Sequence, residues 1–261
     1  MEPAAADGKT LPELKAEHLT APRSRLSAQD AEESEQSPYR NYIRDLILGL
    51  NDGIVSVYAL VAGLVGAGFG ARQVAVAGVA ASIAGALSMG LGEYLSTKSQ
   101  AQYYASEARR EREHIRKYPD LEKRELREML EEQGYPPHLR EPMVEHVSSS
   151  EDRFVDFMMR EEFGVGKESG RSPVAASLLI MAAFLAGAVL PVLPFFLGSD
   201  MRMLLYTASA AAVFGLFVAG AAKGRISGLN PLRSGAEMVL FGAAAGIVTY
   251  AVGRLIPGLA I

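Results

Sequence analysis

"GLNDGIVSVYALVAGL", residues 49–64, sets Asn51 and Asp52 at the start of a run that is otherwise apolar enough to cross a bilayer. Read outward from that run, the chain holds five apolar stretches of about 18 or more residues, the length a membrane-spanning helix needs. They fall at 43–69, 73–96, 173–197, 203–222 and 235–258. A mean hydropathy of only +0.12 hides them, because the charge is collected before and between the spans. The expected fold is therefore all-α: a five-helix transmembrane bundle with a helical, metal-binding insert on the cytosolic side between the second and third spans. The domains expected are an acidic, disordered tail over 1–38, spans one and two over 39–99, the insert over 100–171, and spans three to five over 172–261.

The segment ending in "AEESEQS" lacks the basic-then-apolar order of a secretory signal, and its polar composition gives it too little apolar surface to fold alone. Lys223, Arg225 and Arg233 flank one pair of spans and Arg40 and Arg44 precede the first, whereas the opposite connections carry only Arg72 and Arg202. By the excess of Lys and Arg on the inner side, the N-terminus and the insert are cytosolic. The spans are rich in Ala and Gly, which lets helices approach closely. That composition serves general packing and is compatible with a homodimer. Cysteine is absent, so thiolate metal sites and disulfides are excluded, and a soft ligand has to come from the ten methionines. A net charge of −4 offers no basic field for nucleic acid. No phosphate-binding glycine loop or nucleophile triad is visible, so ATP-driven pumping has no support.

Counted inward from Leu46, Asp52 lies roughly 9 Å deep at 1.5 Å per residue. On the second span, which runs the other way, Glu93 lies roughly 6 Å and Met89 roughly 12 Å deep by the same rise. An acid well inside a span costs roughly 2.5–3.5 kcal/mol on insertion scales and persists where an ion or proton path uses it. Such a carboxylate is either protonated and neutral or ionised and paired with a cation. Alternation between the two states exchanges a cation for protons. Asp52, Met89 and Glu93 are accordingly the candidate path residues, although Glu93 alone is near enough to the surface to reach water unaided.

The insert carries 17 Asp and Glu against 12 Lys and Arg between residues 101 and 170. Part of this is a solvated helix face, and Glu113 to Lys117 has the favourable i,i+4 order. Glu111 and His114, Glu122 and Glu125, and Met158 and Glu162 each share a helix face. Three helices presenting two ligands each would suit Fe(II), Mn(II), Co(II) or Zn(II). A salt-bridged stalk is the competing reading of the same charges.

"NDGIVSVYALVAGL", "SMGLGEYLSTKSQ" and "FMMREEFG" together resemble the vacuolar iron transporter family, proton-coupled carriers of Fe(II) and Mn(II), over roughly 40–261. The resemblance implies a homodimer of five-helix protomers with the ion path at the interface and a cytosolic domain that collects metal first. It places Asp52 and Met89 on the path, and Glu111, Glu122, Glu125, Met158 and Glu162 among the metal ligands. His114 departs from the pattern by standing where a second glutamate is expected; imidazole still ligates, with a pH dependence near its ordinary value. The function expected is export of Fe(II), with Mn(II) as a further substrate, from the cytosol in exchange for protons, without a prosthetic group. A prokaryotic inner membrane is favoured over a vacuolar one. A di-iron ferroxidase-type enzyme is the alternative, but it needs two Glu-x-x-His helices and only Glu111-x-x-His114 is present. A membrane-tethered metal sensor is the third reading, and Asp52 argues against it.

Overall fold

A computed structural model describes residues 23–164 and 171–255, with side chains from Tyr42 onward. Its described residues form eight α-helices and no strand. They are α1 (Arg23–Gly66), α2 (Ala71–Lys117), α3 (Pro119–Glu132), α4 (Pro137–Ser148), α5 (Glu151–Phe163), α6 (Pro173–Val192), α7 (Met201–Ile226) and α8 (Pro231–Leu255). The chain divides into two units, Met1–Arg44 and Asp45–Ile261.

Helix α1 begins at Arg23, inside the 1–38 segment expected as a disordered tail. Positions 24–37 contain neither glycine nor proline and are rich in Ala, Glu and Gln, all good helix formers. Residues 1–22 lie outside the described ones.

Five helices are long and apolar enough to cross a membrane: Tyr42–Gly66 of α1, α2, α6 with its 3-10 extension to Phe196, α7 and α8. Their starts are written in local chemistry. Ser172 accepts a hydrogen bond from the Ala175 amide ahead of Pro173, Asp200 accepts from Arg202 and Met203, and Asn230 accepts from Leu232 and Arg233 ahead of Pro231. Each side chain satisfies donors that the first helical turn leaves free.

Glycine sets how the spans pack. A Cβ on Gly53 would meet the Phe184 carbonyl oxygen at 2.1 Å, and one on Gly187 would meet that of Leu50 at 2.4 Å, so α1 and α6 touch backbone to backbone. At the other end of α1, a Cβ on Gly253 would lie 2.1 Å from the Gly63 carbonyl oxygen and one on Gly66 would lie 2.4 Å from that of Tyr250. Helix α1 is thereby held between α6 and α8 by close small-residue contacts, as expected where lipid removes any hydrophobic drive between helices. Val57, Val61, Val74, Phe184, Val192 and Leu204 fill the buried centre, while Leu91, Leu178, Phe214, Phe241 and Ile247 face outward.

Helix α2 runs unbroken out of the apolar region and carries the insert. Beyond its apolar part it packs with α3, α4 and α5 around Leu126, Leu130, Phe154, Val155 and Met158, all at most 4% exposed. A buried side chain of this size is worth about 1.5–3 kcal/mol. Gly134 follows α3 and Gly164 ends α5 at φ of 83° and 64°, the left-handed conformation that closes helices cheaply only with glycine.

Candidate functional site

Two groups of polar side chains stand out. In the membrane part, Asp52 is half-buried on α1, and its carbonyl oxygen accepts a hydrogen bond from Ser56 at 2.5 Å. Met89 packs against the buried cluster that contains Phe184. Glu93 is partly exposed, its side chain 20% accessible. Its Oε1 accepts from Thr97 Oγ1 at 2.8 Å and lies 3.6 Å from an Arg171 nitrogen. Arg171 also pairs with Asp45, whose side chain is 4% exposed. Within one chain, among the described residues, no hydrogen bond or ion pair joins Glu93 to Asp52.

Asp45 and Arg171 escaped the sequence reading. Asp45 precedes Asp52 by seven residues, two helical turns, and so shares its face of α1. That spacing was the available signal; the arginine, 126 residues away, gave none.

The second group lies in the insert. Glu111 of α2 and Glu122 of α3 are 8% and 3% exposed and near enough for each carboxyl to act on the other's charge, and Glu111 Oε1 has no hydrogen-bond partner among the described residues. Two buried carboxylates this near one another cannot both be ionised cheaply, which favours the protonated form of one of the pair. Burial first, then the charges of Glu122, Glu162 and Glu125, push Glu111 from 4.5 up to about 7. Burial and Glu125 raise Glu122, against the pull of His114 and the hydrogen bond from Glu111. Burial, Glu125 and Glu122 raise Glu162, against Arg110. His114 Nδ1 is 3.7 Å from Glu122 Oε1. The six insert candidates therefore divide. Glu111, His114, Glu122, Glu125 and Glu162 feel one another, from three different helices, whereas Met158 is fully buried among the apolar side chains of the insert.

What neutralises the rest of the insert leaves these acids alone. Arg112 and Arg116 bind Glu151, Arg112 also binds Asp152, Arg127 binds Glu141, and Arg140 binds Glu131. Arg110 pairs with Glu107 at 3.3 Å. Among the described residues no Lys or Arg forms an ion pair with Glu111, Glu122, Glu125 or Glu162. The expected Glu113–Lys117 pair is not made either; Lys117 lies over the Tyr118 ring, 5.3 Å from its centre. Among the described residues, no three His, Asp or Glu side chains stand close enough to hold one ion. Glu125 and Glu162 are exposed at the rim while Glu111 and Glu122 are buried, so gathering their oxygens on one ion requires the two rim side chains to turn inward.

The profile of the VIT family matches residues 43–254, a stretch that takes in all five spans, the insert and every candidate residue. The chain belongs to the VIT family. Vacuolar iron transporter 1 of Tulipa gesneriana is 36% identical over 214 residues, 82% of this chain and 87% of that protein. Its Arabidopsis thaliana namesake is likewise 36% identical over 214 residues, 82% and 86% of the two chains. The vacuolar iron transporter of Toxoplasma gondii is 33% identical over 237 residues, 87% and 78%. The family resemblance read from the three sequence motifs is thus established, and the relatives are named as transporters rather than enzymes.

Proposed function

We propose that the protein is a secondary transporter that moves Fe(II), and Mn(II) as a second substrate, out of the cytosol in exchange for protons. Its insert, 100–171, is cytosolic and captures the metal; the spans of 39–99 and 172–261 pass it on past Asp52, Met89 and Glu93, and two copies form the working unit. The observation that carries this reading is the insert cluster. Four glutamates from three helices act on one another without a Lys or Arg ion pair among the described residues; burial and the neighbouring acids raise Glu122 and Glu162, and push Glu111 up to about 7. A stalk built for stability would pair such acids with bases; a site built to trade protons for a dication would hold them as found. Glu111, Glu122, Glu125, Glu162 and His114 supply hard and borderline ligands, and Met158 would join only by leaving the apolar core. The relatives' names supply iron as the metal to test first.

The experiment is flux in proteoliposomes with an internal pH dye and external Fe(II), Mn(II), Co(II) or Zn(II) in turn. Metal should enter only with proton movement the other way. Asp52→Ala should abolish both; proton flux unchanged in that variant would remove Asp52 from the mechanism.

A further inference from the structure

At the base of the third span, the candidate path residue Glu93 shares Arg171 with Asp45, and the proposed exchange gives neither of those two a role. We propose that Arg171 is a tethered cation that closes the metal path at its insert side, held by Asp45 and Glu93 until a divalent ion takes its place. This rests on the exchanger reading above.

Three placements support it. Asp45 lies on the same face of α1 as Asp52, seven residues earlier. Glu93 lies one i,i+4 step from Met89 on α2, and Thr97, buried and donating to Glu93, continues that stripe. The two carboxylates that Arg171 holds are therefore the outer members of the two stripes that carry the candidate path residues. A cation moving along either stripe from the insert side meets them before Asp52 or Met89.

The charges also fit. Within this trio, Asp45 and Glu93 carry two negative charges and Arg171 returns one. A dication in place of the guanidinium neutralises both acids, whereas a monovalent ion gains nothing over the arginine. The two arms differ: Asp45 is buried and bound closely, while Glu93 stands at 3.6 Å and the Arg171 side chain is 22% exposed. The arm to Glu93 is the looser of these two, and on that side the partly exposed guanidinium has water in reach to hydrate its charge. Burial of Asp45 explains why some cation has to be present, since a buried acid left unpaired is strongly disfavoured.

A bracing role for Arg171 between α1, α2 and α6 predicts something different, and transport kinetics separate the two. In proteoliposomes, Arg171→Gln should lower the KM for Mn(II) about fivefold with kcat within about twofold of the parent, because apparent affinity is divided by the fraction of mouths left open. Arg171→Lys, which keeps a tethered charge, should stay near the parent KM. A KM unchanged or raised in Arg171→Gln overturns the proposal.

Should Arg171→Gln fail to fold, the unaltered protein answers the question. Phenylglyoxal modification of Arg171, read by mass spectrometry, should rise severalfold when Mn(II) is added, in the parent and in transport-dead Asp52→Ala alike. No rise overturns the proposal. Absence of any metal flux in the parent would defeat the exchanger reading and this one with it, whereas flux in the parent without metal-dependent labelling defeats the arginine alone.

Discussion

Replacing Glu111 by Gln should stabilise the metal-free insert at alkaline pH while impairing its capture of metal. The carboxyl is 8% exposed and raised from 4.5 to about 7 by burial and by its acidic neighbours. Because the folded value lies above the unfolded one, folding is unpenalised below pH 4.5 and loses stability as pH rises through about 7. At about 1.4 kcal/mol per pH unit, ionising this carboxyl inside the fold costs about 2–3 kcal/mol once the coupling to Glu122 is allowed for. Glutamine keeps the shape and a donor for Glu122 but has no charge to develop. Thermal unfolding of the full chain in detergent with chelator, followed by circular dichroism at about pH 5.5 and about pH 8, measures the difference. The parent should lose stability between the two, and Glu111→Gln should lose about 2 kcal/mol less. With saturating Mn(II) the parent's trend should weaken or reverse, since the metal needs deprotonated ligands. An identical pH slope in parent and variant would refute the shared-proton account of the cluster.

Replacing Glu122 and Glu125 together by Gln should weaken Mn(II) binding to the insert at least about tenfold in titration calorimetry while leaving some transport at high metal; full retention of binding would remove the insert site. Gly53→Ala should destabilise the span bundle by about 1–3 kcal/mol, because the new Cβ, 2.1 Å from the Phe184 carbonyl oxygen, forces α1 and α6 apart. Gly92→Ala, whose Cβ meets nothing within 4 Å, should leave the melting temperature unmoved.

How far the sequence alone reached follows from the range of the interactions involved. The five spans were legible because each apolar run acts within a single helix. The i,i+3 and i,i+4 pairs named the faces on which Glu111, Glu122 and Glu162 sit for the same reason. What those faces meet is tertiary. Nothing local distinguishes Glu113, which misses its Lys117, from Glu93, which finds Arg171 across 78 residues of chain. Nor could spacing separate Met158 as core from Met158 as ligand, since both roles put it on the inner face of α5. Helix α1 starting at Arg23 was missed because the acidic composition was read as disorder, although it is also good helix composition.

Helix α2 joins the two polar groups in a way that neither alone reveals. Eighteen residues separate Glu93 from Glu111 on one uninterrupted helix. At 3.6 residues per turn this is five whole turns, so in a straight helix both carboxylates point the same way, about 27 Å apart. Tyr104, Ala108, Glu111 and Ile115 form the face that packs into the insert, and Met89, Glu93 and Thr97 continue it downward. In the proposed exchange, an ion leaving Glu111 would depart on the side of the helix that leads to Glu93, without crossing to the outer face occupied by Arg109 and Arg116. The long continuous helix thus acts as more than a tether. It fixes the azimuth of the capture cluster relative to the span stripe, and a break between them, such as a proline kink, would have left each group intact while turning one away from the other.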